Sequence, residues 1–322
     1  MMGKRYDVTS VGSTMLRLSV PYGKRVEYTR HFDVSIGGTE SNSMIALANM
    51  GFKTAWASRL RDNPVGRRIE NEIVSYRVDT SHIIWTDSER NELYFLEFGG
   101  LPRRIEATYD RNASAFAKIS LEELNLDALF DTRIFHFTGI FSALSDNNLE
   151  VSQKLMKAAK KAGVKTSFDV NYRSKLWSFE EACKGLTPIM EQADLLFMTR
   201  EDADNIFDLE GDPSEVVREA YKKFQPEVIV MSLGGDGGIA YDGKKEYRSQ
   251  GYEVECVDRV GAGDCSNAGF MIGYLEGSIQ KGLELGSAMA AIKMTIAGDL
   301  FLSSRKEVEA IMTDRDGREV GR

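Results

Sequence analysis

Val257-Asp258-Arg259-Val260-Gly261-Ala262-Gly263-Asp264 runs directly into Cys265-Ser266-Asn267-Ala268-Gly269-Phe270-Met271 near the C-terminal end of the chain. The pattern reads as a strand-like run that breaks into small residues and then enters a helix. Unpaired N–H groups and the positive end of the dipole favour an anion at such a helix start, and Gly and Ala let the backbone come close to it. Asp264 would stand beside those donors. A carboxylate does nothing for holding phosphate, but it suits the removal of a proton from an attacking hydroxyl. The same residues also suit a tight turn with Asp264 as the helix N-cap, and the segment alone leaves both readings open. Neither a G-x-x-x-x-G-K-[ST] loop nor an early G-x-G-x-x-G occurs; Gly12-Ser13-Thr14-Met15 follows the first strand instead.

The chain has 322 residues, of which 42% are hydrophobic and 28% charged, enough to bury a large core. No apolar run is long enough to span a bilayer, so no membrane role is expected. The net charge of -8 argues against a nucleic-acid partner while leaving room for ATP, which a few local donors can hold. Met1-Met2-Gly3-Lys4-Arg5-Tyr6-Asp7 lacks an apolar segment after its basic residues, and a secretory signal is not expected. Three cysteines, Cys183, Cys256 and Cys265, form no C-x-x-C pair. That fits a reducing, cytoplasmic setting without zinc or disulfides. Of the three histidines, His136 alternates within Phe135-His136-Phe137 and reads as a satisfied strand residue.

Periodicity gives a strand at Asp7–Gly12, a helix at Glu40–Met50 closed by Gly51, a strand at Thr54–Leu60 and a helix at Val65–Tyr76. The alternation resumes with helix Leu149–Ala162, strand Val164–Val170, helix Phe179–Ala193, strand Leu195–Thr199, helix Ser214–Phe224 and strand Glu227–Leu233. Such an order predicts a parallel sheet with helices on both faces. Met15–Val34 and about Asn91–Arg111 break the rhythm with strands that lack an intervening helix. Inserted near the strand ends of an α/β domain, they suggest a small β lid over the ligand crevice; ordinary edge hairpins are the alternative.

Other segments offer ligand groups. Ile36-Gly37-Gly38-Thr39-Glu40-Ser41-Asn42 opens a helix with small and polar residues where a sugar could approach the backbone, or is simply a loop before that helix. Phe168-Asp169-Val170-Asn171-Tyr172-Arg173 ends a buried-type strand in polar side chains, and Arg173 is a natural fork for carboxylate or phosphate, or one half of a surface ion pair. Leu233-Gly234-Gly235-Asp236-Gly237-Gly238 is a glycine-rich turn between strands, able to lie along phosphates or merely to bend a hairpin. Thr199-Arg200-Glu201-Asp202 puts acids at a helix start, suited to a water-bridged Mg²⁺ or to capping alone. Asp299 precedes a strand-like Leu300–Leu302 and reads as a turn residue or as part of the site's closure.

In this order the segments resemble the ribokinase-like, or PfkB, family of carbohydrate kinases. Gly37-Gly38-Thr39-Glu40-Ser41-Asn42, Asp62-Asn63-Pro64-Val65-Gly66-Arg67-Arg68 and Val257 to Asp264 carry the likeness. Phe168 to Arg173 with Leu176-Trp177, Asp258 to Gly261, Tyr109 to Ala115 and Phe137-Thr138-Gly139-Ile140 are most similar to its 2-keto-3-deoxygluconate kinases. The resemblance implies a ribokinase-like three-layer α/β/α sandwich with a mostly parallel central sheet. It further implies a single kinase domain over residues 1–322, with lid strands inserted at about 15–34 and 91–111, and a homo-oligomer formed through the lid. It makes Asp264 the base, with Gly261, Ala262 and Gly263 as the anion hole. Gly38 and Asn42 would contact sugar hydroxyls, Tyr94, Tyr109 and Arg111 would reach down from the lid, and Arg173 would meet the carboxylate. Asn171, Thr199, Ser232, Gly234, Gly235 and Gly237 would lie along ATP, with Asp202 on Mg²⁺ through water. Whether a monovalent cation supports the anion-hole loop stays open.

The implied activity is ATP-dependent phosphorylation of the terminal primary hydroxyl of 2-keto-3-deoxygluconate to 2-keto-3-deoxy-6-phosphogluconate. Arg111 and Arg173 suit an acid better than a neutral sugar. Another sugar kinase, such as a fructokinase or a dehydrogluconokinase, and a non-catalytic sugar-acid sensor are the alternatives. Three positions depart from the family pattern: Ser13 stands for an acid after Gly12, Asp202 for a glutamate, and Ser232 where many relatives carry lysine.

Overall fold

Strands and helices alternate through the computed structural model, which describes residues 3–99 and 102–314. Gly100 and Leu101 of the expected lid segment, Met1 and Met2 of the expected leaderless N-terminus, and 315–322 lie outside the described residues. The chain begins in the middle of a nine-stranded sheet with β1 (Tyr6–Val11), then forms β2 (Met15–Ser19) and β3 (Asp33–Gly37) of a second, smaller sheet. Helix α1 (Thr39–Asn49), β4 (Thr54–Arg61), α2 (Pro64–Ser75) and β5 (Asp79–Thr86) complete one half of the main sheet. After β6 (Leu93–Glu97) and β7 (Glu106–Asp110), which join the small sheet, the short helix α3 (Leu126–Leu129) leads to β8 (Thr132–Thr138) on the other side of β1. From there α4 (Gly139–Ala143), α5 (Asp146–Lys161), β9 (Lys165–Asp169), α6 (Phe179–Met190), β10 (Leu195–Thr199), α7 (Arg200–Phe207), α8 (Pro213–Phe224) and β11 (Val228–Ser232) step outward.

The main sheet has the order β13-β12-β11-β10-β9-β8-β1-β4-β5, where β12 (Gly238–Tyr241) and β13 (Glu246–Ser249) form an antiparallel edge and all other pairings are parallel. Its interior strands read as apolar runs because both faces are covered. One face packs on Met44, Ile69, Phe270 and Met289, and the other on Phe141, Leu155, Leu186 and Val217. The layers are therefore α/β/α, as the alternation predicted. Helices α9 (Ala262–Leu275) and α10 (Ile279–Met294) approach so closely that a side chain at Gly269 would press on the Gly286 backbone, 2.5 Å from its nitrogen. Helix α11 (Arg305–Thr313) closes the described chain. Among the described residues no helix is long and apolar enough to cross a membrane.

The small sheet runs β3-β2-β6-β7, with β2 and β6 parallel to each other and the outer pairs antiparallel. The two rhythm-breaking stretches thus make one separate four-stranded sheet and not hairpins on the edge of the main one. Two strand-like readings fail. The run that opens the motif at Val257 forms no strand, because Val257 and Asp258 both give their N–H groups to Met294 O at the end of α10, at 2.8 and 3.1 Å. Leu300–Leu302 is likewise irregular: Leu300 and Phe301 are buried in the core, but the Phe301 carbonyl accepts from Asn49 Nδ2 at 2.7 Å instead of from a neighbouring strand.

Candidate active site

Chain reversal between β1 and β8 creates the crevice at which open α/β sheets bind ligands, and three helix or strand termini meet there. Glu40, in the first turn of α1, fills its floor: its Oε1 accepts from Thr138 N at 3.2 Å and Thr138 Oγ1 at 2.7 Å, while Gly12 leaves no room for a side chain beside it. Burial pushes the Glu40 carboxyl up to about 7 against those hydrogen bonds. Two residues on, Asn42 donates from Nδ2 to Asp264 Oδ2 at 2.7 Å, and Ser43, the next residue, donates from Oγ to Asp264 O at 3.3 Å. Helix α1 therefore holds the start of α9. Gly38 has extended backbone at the N-cap of α1, packed against Ser13 and Thr14.

Asp264 is not the cap of α9. Gly261 takes that position, with φ of 86° that glycine adopts without strain, and no side chain caps the helix. Asp264 is its third residue. Ala262 turns its N–H back to Arg259 O at 3.3 Å, whereas Gly263 and Asp264 have N–H donors with no acceptor among the described residues. A β-carbon on Gly261 would collide with Asp299 O, but one on Gly263 would meet nothing within 4 Å. Packing thus requires glycine at 261 and leaves open space at 263, where an anion can approach. Burial raises the Asp264 carboxyl to about 6, opposed by the Asn42 hydrogen bond and then by the charge of Arg173. A carboxylate ionised at neutral pH yet still basic is what a proton acceptor needs.

The carboxyl ends of β9, β10 and β11 supply the rest. Asp169, at the end of β9, accepts from Asn267 Nδ2 of α9 at 2.9 Å and from Asn171 Nδ2 at 3.1 Å. Its carboxyl is pushed up to about 8, first by burial and then by the negative charges of Asp202 and Asp264. Thr199 and Ser232 are register partners at the ends of β10 and β11. Thr199 and Asp202 form a capping box: Thr199 N donates to Asp202 Oδ2, and Asp202 N to Thr199 Oγ1, each at 2.9 Å. Capping accounts for one oxygen of Asp202. Gly234, Gly235 and Gly237 form a short 3-10 turn between β11 and β12, with open space beside the first two and positive φ at Gly234 and Gly237.

From the small sheet come Tyr94, Tyr109 and Arg111. Tyr94 and Tyr109 stack with centroids 5.7 Å apart, and the Arg111 guanidinium lies 4.3 Å from the Tyr109 ring centre. Arg111 is only 7% exposed, yet no hydrogen-bond acceptor or ion-pair partner meets it among the described residues. Burial lowers its pKa, with Glu92 opposing and Arg173 adding to the shift. Arg173 is exposed and, among the described residues, hydrogen-bonds only to Tyr172 O at 3.4 Å, while its charge reaches Asp264, Asp169 and Asp202. Tyr94, expected to reach the sugar from the lid, donates its hydroxyl to Asp299 Oδ1 at 2.7 Å.

Sequence reasoning passed over Asp169, Asn267, Glu40 and Arg17 as site residues. Asp169 lay inside a segment already singled out, and an acid at a buried strand end was the signal; Asn267 and Arg17 look like ordinary helix and strand polar residues until the fold is known. Mg²⁺ fits the surplus of negative charge at Asp169, Asp202 and Asp264, although no three His, Cys, Asp or Glu side chains among the described residues converge as a metal site. Such an ion would be held mainly through water and phosphate oxygens.

A model of the pfkB family of carbohydrate kinases matches residues 5–304. The chain is 34% identical over 311 residues to a 2-dehydro-3-deoxygalactonokinase of Haloferax volcanii, covering 96% of this chain and 98% of that protein. It is 27% identical over 319 residues to a 5-dehydro-2-deoxygluconokinase of Listeria innocua, covering 97% and 98%. The crystal structure of a 2-dehydro-3-deoxygluconokinase from Thermotoga maritima is similar with a TM-score of 0.91 and 31% identity, over 96% of this chain and 100% of that one.

Proposed function

The chain belongs to the pfkB family of carbohydrate kinases, and we propose that it transfers the γ-phosphoryl group of ATP to the terminal primary hydroxyl of 2-keto-3-deoxygluconate, giving 2-keto-3-deoxy-6-phosphogluconate and ADP. One observation carries the choice of a sugar acid: Arg111, almost wholly buried and without an acceptor, faces the charge of Arg173. Two cations close enough to feel each other, the buried one with no hydrogen-bonded or ion-paired anion among the described residues, fit a carboxylate, which an arginine fork can take in two hydrogen bonds. A neutral sugar would leave both unpaired.

In this reading the sugar enters between Gly38 and Asn42 and the lid, with its carboxylate toward Arg111 and Arg173. Asp264 accepts the hydroxyl proton as the new O–P bond forms and the bond to the leaving β-phosphate oxygen breaks. Gly263 N–H and the open helix end receive the negative charge on the phosphoryl oxygens, with Gly261 fixing the loop and Ala262 giving up a weak turn bond. Asn171, Thr199, Ser232 and the turn Gly234 to Gly237 flank ATP. Mg²⁺, held through water by Asp169 and Asp202, would supply charge neutralisation between the phosphates.

A second reading concerns the epimer. The Haloferax relative is named for the galactonate form, which differs from the gluconate at C4 alone, so that acid is the next acceptor to consider. Purified protein incubated with ATP and each of the two keto acids, 5-keto-2-deoxygluconate, fructose and ribose, with ADP release followed, tests both. Turnover of the keto acids at least about tenfold above the neutral sugars is expected. Strong turnover of fructose or ribose without the keto acids would overturn the substrate assignment.

A further inference from the structure

Arg17 lies in strand β2 of the small sheet, yet its guanidinium is 2% exposed and reaches out of that sheet. Its NH2 group donates to Asp258 Oδ2 at 2.6 Å, its NH1 group to Asp299 Oδ1, and its Nε to Ser19 Oγ at 2.7 Å. Asp258 opens the anion-hole loop. Its Oδ1 accepts from Val260 N and its Oδ2 from Gly298 N, each at 3.0 Å. Asp299 closes the other side: its main-chain oxygen abuts Gly261, and its carboxylate abuts Gly37 and accepts from Tyr94. Lys293, fully buried in α10, donates to Asp258 O at 2.9 Å and Ile296 O at 3.1 Å, so two cations balance two carboxylates.

We infer that Arg17 is a positioning residue for phosphoryl transfer: it clasps the small sheet to the Asp258–Gly261 loop, so that the placement of the Gly263 donor depends on the seating of the lid. The contacts that make it so are continuous. Arg111 rests on Tyr109, Tyr109 stacks on Tyr94, Tyr94 binds Asp299, and Asp299 and Asp258 are both held by Arg17, one on each side of Gly261. Apolar packing would tie the sheet down as firmly but would not fix the direction of the Val260 and Gly298 N–H groups. Displacements near 1 Å at such donors are enough to cost about a hundredfold in rate.

The inference rests on the phosphoryl-transfer role assigned above to Gly261–Asp264, but not on the identity of the sugar, because the test uses whichever acceptor the wild-type protein phosphorylates. Failure on the keto acid would sink the substrate reading and leave this test intact. In Arg17→Met, kcat should fall about tenfold to a hundredfold while the acceptor's Kd, measured calorimetrically without nucleotide, changes by less than about threefold. Combined with Gly263→Ala, the two losses should be less than multiplicative, because both act on one donor. If Arg17→Met does not fold, Arg17→Lys keeps the buried charge but cannot span both carboxylates, and the same split should appear in it. Unchanged kcat in a folded variant, equal losses in kcat and acceptor affinity, or fully multiplicative losses with Gly263→Ala would each overturn the inference.

Discussion

With Asp264 as the proposed base, the acid limb of the pH profile should follow its titration. Its carboxyl, raised to about 6 by burial and drawn back by Asn42 and Arg173, is about nine-tenths ionised at pH 7, half at pH 6 and roughly one-tenth at pH 5. Since kcat/KM reports the free enzyme, it should fall with a slope of one below an apparent pKa near 6. Replacement by asparagine removes the proton acceptor and sets an amide against Asn42 Nδ2, which now donates at 2.7 Å. A loss of about 10² to 10⁴ in kcat is expected for Asp264→Asn, with ATP and sugar-acid binding largely kept. Arg173→Ala removes a charge that favours the ionised form, so the limb should move up by roughly half a unit to one unit. An ADP-release assay between pH 5 and 8.5, with calorimetry for binding, measures all three. A kcat within about tenfold of wild type in Asp264→Asn, or an acid limb that stays in place when Asp264 is changed, would remove the residue from its role.

Other outcomes follow from the same geometry. Arg111→Met should raise KM for keto acids about tenfold to a hundredfold and leave neutral sugars nearly unaffected, and equal losses on both would make the arginine structural. Gly263→Ala should fold with an unchanged or slightly higher Tm, because its methyl meets open space in a helix, yet lose kcat as that methyl occupies the phosphoryl approach; full activity would place the anion elsewhere. The ligand-free protein should lose stability as pH rises from about 5 to 8: Glu40 near 7 and Asp169 near 8 keep protons there that the unfolded chain, with carboxyls near 4, has released. Asp169→Asn should accordingly raise Tm relative to wild type, by more at pH 8 than at pH 5.5, while lowering activity; a Tm that climbs toward pH 8 in the wild type would contradict the burial argument.

What the sequence made legible was periodic or local. Alternating helix and strand patterns give the parallel sheet because apolar faces repeat at 3.6 or run unbroken between two helical layers. Gly261, Gly263 and Asp264 mark a helix start because the residues that form it lie within four consecutive positions. Long-range pairing has no such local trace. Nothing in Met15-Leu16-Arg17-Leu18-Ser19 says that Arg17 will meet Asp258 and Asp299, 241 and 282 positions away. The false strand at 300–302 has the same origin: Leu-Phe-Leu is apolar enough for a strand, and only the fold reveals that Asn49 takes the carbonyl a neighbour would need.

The buried charges show why both kinds of information are needed. Asp258, Asp264 and Asp299 would each be a poor choice for a core judged by hydrophobicity alone, and the first and last are tolerated because Arg17 and Lys293 balance them. Asp264 and Asp169 have no ion-pair partner within 4 Å among the described residues; burial raises their pKa values, and they share one crevice with the open end of α9. A fold that neutralises two carboxylates and leaves two poised beside unpaired N–H groups has put its electrostatic strain where phosphate and a divalent ion would relieve it. Tight binding of Mg²⁺ and nucleotide should therefore raise Tm more at pH 8 than at pH 5.5, since the charge being relieved is present only when Asp169 is ionised. A ligand-induced shift in Tm that is independent of pH would mean that Asp169 lies outside the nucleotide's field.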